Sequence, residues 1–235
     1  MSAGERRRKR ATDQPRVDRA PLSRHLIVTT ALQIIDREGL EALSMRHLGA
    51  ALGVDSMAIY YYLPNKAALF DGVVEAIYRD LTYDDIDPAL PWQDQLSEAM
   101  RRFRQALRRH PNALPVVATR PPVQPDVLGV IEHLLAVLIA GSGLPPAQAL
   151  NALTCAAVYT IGHALAEVGQ PVGGEGQTPD ETLAEIAGRY PHLAEAVASA
   201  SASNPDAQFE LGLRAMVVGL AALTHLGAAE RAPNP

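Results

Sequence analysis

The sequence predicts an all-α fold, and two observations support this prediction. From Leu26 onward, apolar residues recur at intervals of three and four, which is the spacing of one face of a helix. No segment shows the persistent alternation of apolar and polar residues that indicates a strand. The chain has 235 residues, of which 48% are hydrophobic, so it is long enough for one large domain or two smaller ones.

The first four predicted helices are short and follow one another closely. Ser23 is a candidate N-cap for a first helix that ends at Gly39. A glycine suits the tight turn between the second and third helices, and the small Ala50 is expected where those two helices cross. Two short helices joined by such a turn form a helix-turn-helix. The residues that begin or end the other three helices are Ser44, Gly53, Asp55, Pro64 and Asn65.

The rest of the chain is predicted to form longer helices joined by polar or proline-rich segments. A linker at 84–91 precedes the first of them, and a flexible loop is predicted at 170–180. A short helical segment between 181 and 202 is expected to be interrupted by Pro191. The longer predicted helices span about 92–110, 126–140, 146–168 and 205–226.

Charge is distributed unevenly along the chain. The net charge is −5, but residues 1–66 hold 11 Lys and Arg against 7 Asp and Glu, whereas the remaining residues hold 10 against 19. Residues 1–20 are polar, basic and proline-containing, and they are predicted to form a disordered basic arm. A basic N-terminal part joined to an acidic remainder indicates that one end meets a polyanion. A basic run is also typical of a solvated tail, so the charge alone leaves both interpretations open.

The composition disfavours several classes of protein. The single cysteine, Cys155, excludes an intramolecular disulfide and a multi-cysteine metal site, and we expect it to be buried and unreactive. The seven histidines form no HExxH motif, and no nucleophile elbow or phosphate-binding loop occurs, so an enzyme is not expected. No apolar run approaches the roughly 20 residues that cross a bilayer, and the basic start lacks the apolar core of a secretory signal. A cytoplasmic protein without a membrane partner is therefore expected.

The predicted third helix carries a run of three tyrosines. Successive positions of a helix point about 100° apart, so at most one or two of Tyr60, Tyr61 and Tyr62 can be buried. Ile59 is expected to pack inward, which displays the opposite face of the helix to solvent. Exposed tyrosines suit the phosphates, sugar edges and thymine methyl groups of DNA.

These helices resemble those of the TetR family of bacterial one-component transcriptional repressors. The resemblance covers about 50 residues, from Leu26 to Leu81, and its most specific part is EGLEALSMRHLGAALGVDSMAIYYYLPNKAALF. The remainder is similar to the tetracycline-repressor type of ligand-binding domain, through the softer motifs WQD, LRRHPNA, ATRP and FELGL. The resemblance implies a helix-turn-helix DNA-binding domain at 21–68 and a ligand-binding and dimerisation domain at 69–230.

The resemblance also implies a set of DNA-contacting residues. Arg46 stands where the family places a residue that reads bases or phosphates, and Lys66 matches a phosphate-binding lysine at a helix start. Met57 and Ala58 depart from the pattern, because apolar side chains touch a thymine methyl but form no bidentate hydrogen bonds. Arg46 and Lys66 are alternatively ordinary solvated side chains, and Tyr60 is equally compatible with half-burial. The implied DNA-contacting residues are Ser44, Arg46, Ser56, Met57, Ala58, Tyr60, Tyr61, Tyr62 and Lys66.

An effector cavity in the second domain is implied in the same way. The tetracycline repressor binds the Mg²⁺ of its drug through a histidine where this chain has Val116, and contacts the drug with a polar amide where this chain has Leu134. We therefore expect no metal ion, no cofactor and a bulky, largely apolar effector, although Glu167 keeps the family's pocket carboxylate. His163 and Glu167 alternatively form an ordinary intrahelical hydrogen bond, and Phe103 is alternatively plain core. The residues implied to line or approach the cavity are Thr82, Phe103, Val116, Thr119, Leu134, His163 and Glu167.

Family members form homodimers, and the resemblance implies a four-helix interface. The candidate helices lie near 146–168 and 206–226, because both are too apolar for one-sided surface helices. The implied function is a ligand-responsive repressor that binds a palindromic DNA operator as a homodimer, with recognition helices about 34 Å apart, and is released by its effector. The alternative is an architectural DNA-binding protein without an effector.

Overall fold

The computed structural model describes residues 21–79, 81, 83, 85–169, 189–199 and 204–230. Every regular element in these ranges is helical, as predicted. Short 3₁₀ turns at Leu40–Ala42 and Pro111–Ala113 join some of the helices. The predicted arm at 1–20 and loop at 170–180 lie outside the described residues. The helices are α1 (Arg24–Glu38), α2 (Met45–Leu52), α3 (Ser56–Tyr62), α4 (Lys66–Arg79), α5 (Trp92–Arg109), α6 (Leu114–Thr119), α7 (Pro125–Ser142), α8 (Pro146–Val168), α9 (Pro191–Ser199) and α10 (Pro205–Glu230).

The predicted caps Ser23, Asp55 and Asn65 are confirmed, and Ser44, predicted only to open the second helix, caps α2 in the same way. In each case a short polar side chain accepts a hydrogen bond from a backbone N–H of the first helical turn, which would otherwise have no partner. The cap residues thus set where each helix begins. The bonds run from Leu26 N to Ser23 Oγ (3.2 Å), from His47 N to Ser44 Oγ (3.1 Å), from Met57 N to Asp55 Oδ1 (2.8 Å) and from Ala68 N to Asn65 Oδ1 (2.8 Å).

A pair of glycines shapes the junction of α2 and α3. Gly53 adopts the left-handed conformation (φ 68°, ψ 33°) that ends α2. Gly49 is buried where the helices cross, and a Cβ there would lie 3.0 Å from the carbonyl oxygen of Val54 and 3.3 Å from the nitrogen of Ser56. The expectation for Ala50 is wrong, because Ala50 is exposed. Gly49, the residue before Ala50, is the one that permits the close approach of α2 and α3.

The long helices build the second domain around α5 and α8. These two helices pack against each other, and α7 and α10 each pack against both of them. The helix α4 contacts α1 on one side and α5, α6 and α7 on the other. It also runs without a break through the predicted domain boundary at residue 68. The one helix α4 therefore contacts elements of both predicted domains.

Several predicted boundaries differ from the observed ones. The helix α6 was not predicted, because it is under two turns long and contains a proline in its first turn. Pro191 is the first residue of α9, a position at which a proline loses no intrahelical hydrogen bond, and residues 181–188 of the predicted interrupted segment lie outside the described residues. The last helix continues to Glu230 instead of ending near residue 226.

The helix α8 is long and apolar enough to cross a membrane by length and composition. A single helix of this kind is weak evidence, since the core helix of a globular domain has the same composition. In this fold α8 packs against α5, α6, α7 and α10, yet only about a third of its most apolar part is buried. The rest of its apolar surface remains uncovered in the single chain.

Candidate nucleic-acid interface and effector cavity

The helix α3 presents two large side chains to solvent, one turn apart. Tyr61 is 86% exposed and Met57 is 71% exposed. Ile59, on the opposite side, is fully buried and fixes the helix against the core of the first domain. Tyr60 and Tyr62 are 38% and 37% exposed, well below Tyr61. This arrangement matches the expectation from the tyrosine run.

The start of α2 lies beside α3 and offers further polar groups. Arg46 is exposed and forms no ion pair with the described residues. Ser44 accepts the capping hydrogen bond from His47, which leaves its own hydroxyl proton free to be donated. Ser56 and Ala58 on α3 are half-buried. The side chains predicted to contact DNA therefore lie on α2, on α3 and at the first residue of α4.

Lys66 has a structural contact that the sequence did not reveal. Its Nζ donates a hydrogen bond to the carbonyl oxygen of Leu43 at 3.0 Å and lies 5.3 Å from the centroid of the Phe70 ring. The lysine thus ties the start of α4 to the residue before the N-cap of α2. Because Lys66 remains exposed and an ammonium carries three protons, the predicted phosphate contact is compatible with this bond.

The second domain contains a partly open cavity of about 260 Å³ between α4, α5, α6, α7 and α8. Its wall is mostly apolar. Phe103 on α5 and Leu134 on α7 line it, as expected, and Phe103 also belongs to the buried core. Thr82, also predicted to line the cavity, lies outside the described residues. Further lining residues include Tyr78, Tyr83, Met100, Val117, Ala118, Arg120, Leu153, Thr154, Val158 and Ile161.

Two residues of α6 were placed on the wrong side of their helix. Val116 is buried but does not line the cavity, and Thr119 is exposed with its hydroxyl donating to the carbonyl oxygen of Pro115 at 2.6 Å. Their neighbours Val117 and Ala118 line the cavity instead. A shift of one residue rotates a helical position by about 100°, which is enough to turn a side chain away from the cavity.

His163 and Glu167 also lie away from the cavity. The residues of α8 on the cavity wall include Thr154, Val158 and Ile161. His163 follows Ile161 by two positions, which places it about 200° around the helix. Both His163 and Glu167 therefore face α5 and α10, and their predicted position on the cavity wall is wrong.

Glu167 instead takes part in a buried ion pair. Its carboxylate accepts hydrogen bonds from the Nε and Nη2 of Arg104 at 3.0 and 2.8 Å, and both side chains are less than 10% exposed. Asp206 on α10 and Arg108 on α5 extend the network. The ion pair thereby joins α5, α8 and α10.

The imidazole of His163 lies at the edge of this network without a hydrogen bond to its Nδ1. The nearest oxygen of Glu167 is 3.7 Å away, so the predicted intrahelical hydrogen bond is also wrong. Burial and the positive charge of Arg104 lower the pKa of His163 below 6.5, although Glu167 and Asp206 act in the opposite direction. The neutral imidazole packs edge-on against the ring of Phe209.

Two tyrosines of the cavity wall went unnoticed in the sequence. Burial raises the pKa of Tyr78 to about 12 and raises the pKa of Tyr83 further. Both phenols are therefore neutral hydrogen-bond donors. Within the described chain neither hydroxyl has a hydrogen-bond partner. No sequence pattern singled them out, because Tyr78 reads as an ordinary position of an amphipathic helix.

Arg120 is the charged residue on the described part of the cavity wall. Its Nη1 lies 2.5 Å from Oδ1 of Asp71 on α4, and its guanidinium stacks 5.6 Å from the ring of Phe70. The charge is thus paired with a carboxylate from the helix that also carries Lys66. The ATRP motif contains Arg120, but the sequence analysis did not assign it a role.

The described residues contain no group of three or more His, Cys, Asp or Glu side chains placed to bind a metal ion. Cys155, which was expected to be buried, is exposed on α8. The described part of the cavity wall thus offers mostly apolar surface, a few hydroxyl groups and the guanidinium of Arg120.

Two family models together match most of the chain. The model described as "Bacterial regulatory proteins, tetR family" matches residues 27–73, and the model described as "Tetracyclin repressor-like, C-terminal domain" matches residues 87–224. The second match alone covers more than half of the chain. The chain belongs to the TetR family. It is accordingly a ligand-responsive DNA-binding transcriptional repressor and not an enzyme.

Individual family members agree with this assignment over almost their full length. The HTH-type transcriptional repressor DrrR1 of Streptomyces coeruleorubidus is 32% identical over 88% of this chain and 80% of its own. The class A tetracycline repressor of Escherichia coli, from transposon 1721, is 30% identical over 85% of this chain and 91% of its own. ActR of Streptomyces coelicolor, crystallised with actinorhodin, has a TM-score of 0.77 at 28% identity, covering 87% of this chain and 99% of ActR.

Proposed function

We propose that this family member binds a palindromic operator as a homodimer in the cytoplasm and is released from it by an uncharged, largely apolar effector. The proposal rests on the position of α4. This helix contributes Lys66 at the DNA-facing end and Tyr78 to the effector cavity. A ligand that shifts α4 therefore changes the position of the helix-turn-helix.

The operator interface that we propose is centred on Tyr61 and Met57. These side chains are the most exposed large groups of α3, and a helix of this size fits the major groove. Arg46 and Lys66 flank them with positive charge and supply phosphate contacts that fix the register of the protein on DNA. Base reading then rests on tyrosine hydroxyls and on apolar contact with thymine methyl groups.

Two uncovered apolar stripes support the homodimer. On α8 the exposed residues recur at intervals of three and four, and on α10 the exposed residues do the same. Leu211 is 72% exposed and Val218 is 62% exposed, and a contiguous apolar surface of this kind marks a protein interface. Packing both helices against those of a second copy forms a four-helix interface with two-fold symmetry. The stripes are Cys155, Val158, Gly162 and Leu165 on α8, and Leu211, Ala215, Val218 and Ala222 on α10.

Contacts from the segment around α6 reach both α4 and α1. Arg120, on the cavity wall, holds Asp71 of α4. At the other contact, Asn112 donates to the carbonyl oxygens of Ile35 and Asp36 at 3.1 Å, and His110 lies 2.9 Å from the Asp36 carboxylate. The segment containing α6 therefore contacts both α1 and α4. An effector that displaces α6 would move the two helices that anchor the first domain.

The solved relatives support the effector half of the proposal. ActR has been crystallised with actinorhodin and also with (S)-DNPA, so a protein of this architecture holds small molecules. A ligand shifts the balance between DNA-bound and released conformations only as far as its affinities for the two differ. An architectural DNA-binding protein would have no use for a cavity coupled to α4, and no comparison favours that alternative.

Selection of bound duplexes from a genomic library, with the purified protein at about 150 mM salt, tests the operator half. We expect enrichment of one palindromic sequence, lost with Tyr61→Ala and Lys66→Ala and retained with Tyr190→Ala. Tyr190 is 47% exposed and lies outside the first domain, which makes it a matched control. Enrichment that survives both substitutions in the first domain would contradict the proposal.

A further inference from the structure

The ring of Phe70 on α4 lies beside two cations that come from different parts of the molecule. Lys66, the first residue of α4, places its Nζ 5.3 Å from the centroid of this ring. Arg120, which directly follows α6, places its guanidinium carbon 5.6 Å from the same centroid. Because the face of an aromatic ring attracts cations, Phe70 joins the start of α4 to the end of α6.

Arg120 makes a second contact with α4, an ion pair with the residue that follows Phe70. Its Nη1 lies 2.5 Å from Oδ1 of Asp71. The side chains of Arg120 and Asp71 are 24% and 36% exposed, and an ion pair with this much access to water contributes little to the free energy of unfolding. Both contacts of Arg120 fall within the second turn of α4. Their effect is therefore expected on the position of this turn rather than on the stability of the protein.

The ammonium group of Lys66 is held by the protein although the side chain is exposed. Besides its contact with the Phe70 ring, Nζ donates a hydrogen bond at 3.0 Å to the carbonyl oxygen of Leu43, a buried residue. An ammonium has three protons, so the others are available to a phosphate. A long, flexible side chain loses rotamer entropy when it binds, and contacts that orient it beforehand reduce that loss. The Phe70 ring is one of the two groups that orient Lys66.

We infer that Arg120 is a positioning residue for operator binding, although it lies in the second domain. It holds Phe70 and Asp71 on α4, and the Phe70 ring in turn holds the ammonium of Lys66 for its phosphate contact. Asp71 carries a negative charge on the same helix as Lys66, and its pairing with Arg120 offsets that charge. The inference rests on the proposed function, because the phosphate contact of Lys66 belongs to the proposed operator interface.

The test measures binding of the full-length protein to a labelled duplex of the selected operator, by fluorescence anisotropy at several salt concentrations. Lys66→Ala should weaken binding about tenfold and reduce the salt dependence of the affinity, because one phosphate contact per subunit is lost. Arg120→Met should weaken binding about fivefold and reduce the salt dependence in the same direction. The double variant Lys66→Ala/Arg120→Met should bind within about twofold of Lys66→Ala alone, since a residue that acts through Lys66 has no effect without it.

Three further variants separate positioning from a general loss of charge or of fold. Phe70→Leu removes the ring and should weaken binding as Arg120→Met does, whereas Phe70→Tyr keeps a ring that attracts cations and should bind within about twofold of the wild-type protein. Arg101→Met is the matched control, because it removes an arginine from an exposed ion pair of the second domain, and it should leave affinity and salt dependence unchanged. Thermal unfolding shows that each variant is folded.

The outcomes distinguish the inference from the proposed operator interface. Wild-type affinity in Arg120→Met, a weaker affinity with an unchanged salt dependence, or additive losses in the double variant would overturn the inference and leave the interface intact. Phe70→Tyr binding as weakly as Phe70→Leu would overturn it as well, because the ring would then not be the connection. Binding that Lys66→Ala does not weaken would contradict the interface itself, and the inference with it.

Discussion

At the scale of single residues, the most informative side chain of the first domain is Tyr61. It is 86% exposed and packs edge-on against Tyr62 at 5.2 Å, so it contributes little to the stability of the fold. Tyr61→Ala should weaken operator binding by at least tenfold while leaving the melting temperature within about 2 °C. Fluorescence anisotropy with a labelled operator measures the first effect, and calorimetry measures the second. A large fall in melting temperature would show that the side chain is structural.

His163 makes the stability of the protein depend on pH. Its folded pKa is lowered by burial and by Arg104, whereas an unfolded histidine titrates near 6.5. The folded state therefore binds fewer protons, so the stabilisation is present above pH 6.5 and is lost as the pH falls through 6.5 towards the folded pKa. We expect the free energy of unfolding to fall between pH 7.5 and pH 5.5, and His163→Gln to reduce that fall. Urea unfolding at several pH values in this range measures the effect. If the free energy of unfolding of His163→Gln fell as steeply with pH as that of the wild-type protein, His163 would not be the titrating group.

The role of a single residue could be predicted from the sequence where its partners are close neighbours in the chain. The caps Ser23 and Asp55 follow from the residue type and the adjoining helix, because a cap bonds only to its own first turn. The hydrogen bond from Lys66 to Leu43 spans 23 positions, and neither the residue types nor the local sequence predicts it. The positions of Tyr78 and Tyr83 are of the same kind, since only the tertiary fold places both on the wall of one cavity.

At the scale of helices, the crossing of α2 and α3 depends on the absence of a side chain at Gly49. A Cβ there would contact backbone atoms of Val54 and Ser56, which cannot move without separating the helices. Gly49→Ala should therefore destabilise the protein by about 1–3 kcal/mol, despite the better helix propensity of alanine. Gly129→Ala, on α7 with no atom within 4 Å of the new Cβ, should instead stabilise it by about 0.5–1 kcal/mol. Chemical unfolding measures the free energy of unfolding of both variants. If the two substitutions changed it by similar amounts, the crossing of α2 and α3 would not depend on Gly49.

The buried ion pair between α5 and α8 makes a second prediction at this scale. Glu167→Gln leaves Arg104 buried with Asp206 as its remaining anionic partner, and should cost about 2–4 kcal/mol. Arg101→Met, which breaks a pair about half exposed to solvent, should cost less than about 1 kcal/mol. Urea unfolding at neutral pH measures both. Equal costs would mean that Glu167 is not the buried partner of Arg104 in solution.

The helices themselves were predictable, but their orientation around their own axes was not. A spacing of three and four identifies α8 as a helix with several apolar faces, yet it does not say which face meets the cavity and which meets α5. His163 and Glu167 were assigned to the cavity for this reason, whereas Thr154, Val158 and Ile161 line it. Assigning faces requires knowing the neighbours, and these are set by contacts between residues far apart in the sequence. The short α6 was missed because fewer than two turns give no periodicity to detect.

At the scale of the whole molecule, the fold joins two requirements that neither domain meets alone. The first domain supplies one recognition helix, and a single helix contacts only half of a palindromic site. The second domain supplies the effector cavity and the uncovered stripes of α8 and α10. The proposed homodimer would turn an effector-dependent shift of α4 into a change in the spacing of two recognition helices.

The prediction at this scale concerns Val218, which is 62% exposed near the middle of α10. Val218→Glu places a charge in the apolar stripe, and burying it against a second copy would carry a large desolvation cost. We expect sedimentation velocity to show a monomer in place of a dimer, with operator affinity falling at least a hundredfold because each monomer retains only half of the contacts. Val123→Glu, at a residue 61% exposed outside the helices, should leave both mass and affinity unchanged. A dimer that persists in Val218→Glu would show that α10 does not form the interface. Another pair of helices would then set the spacing of the two recognition helices.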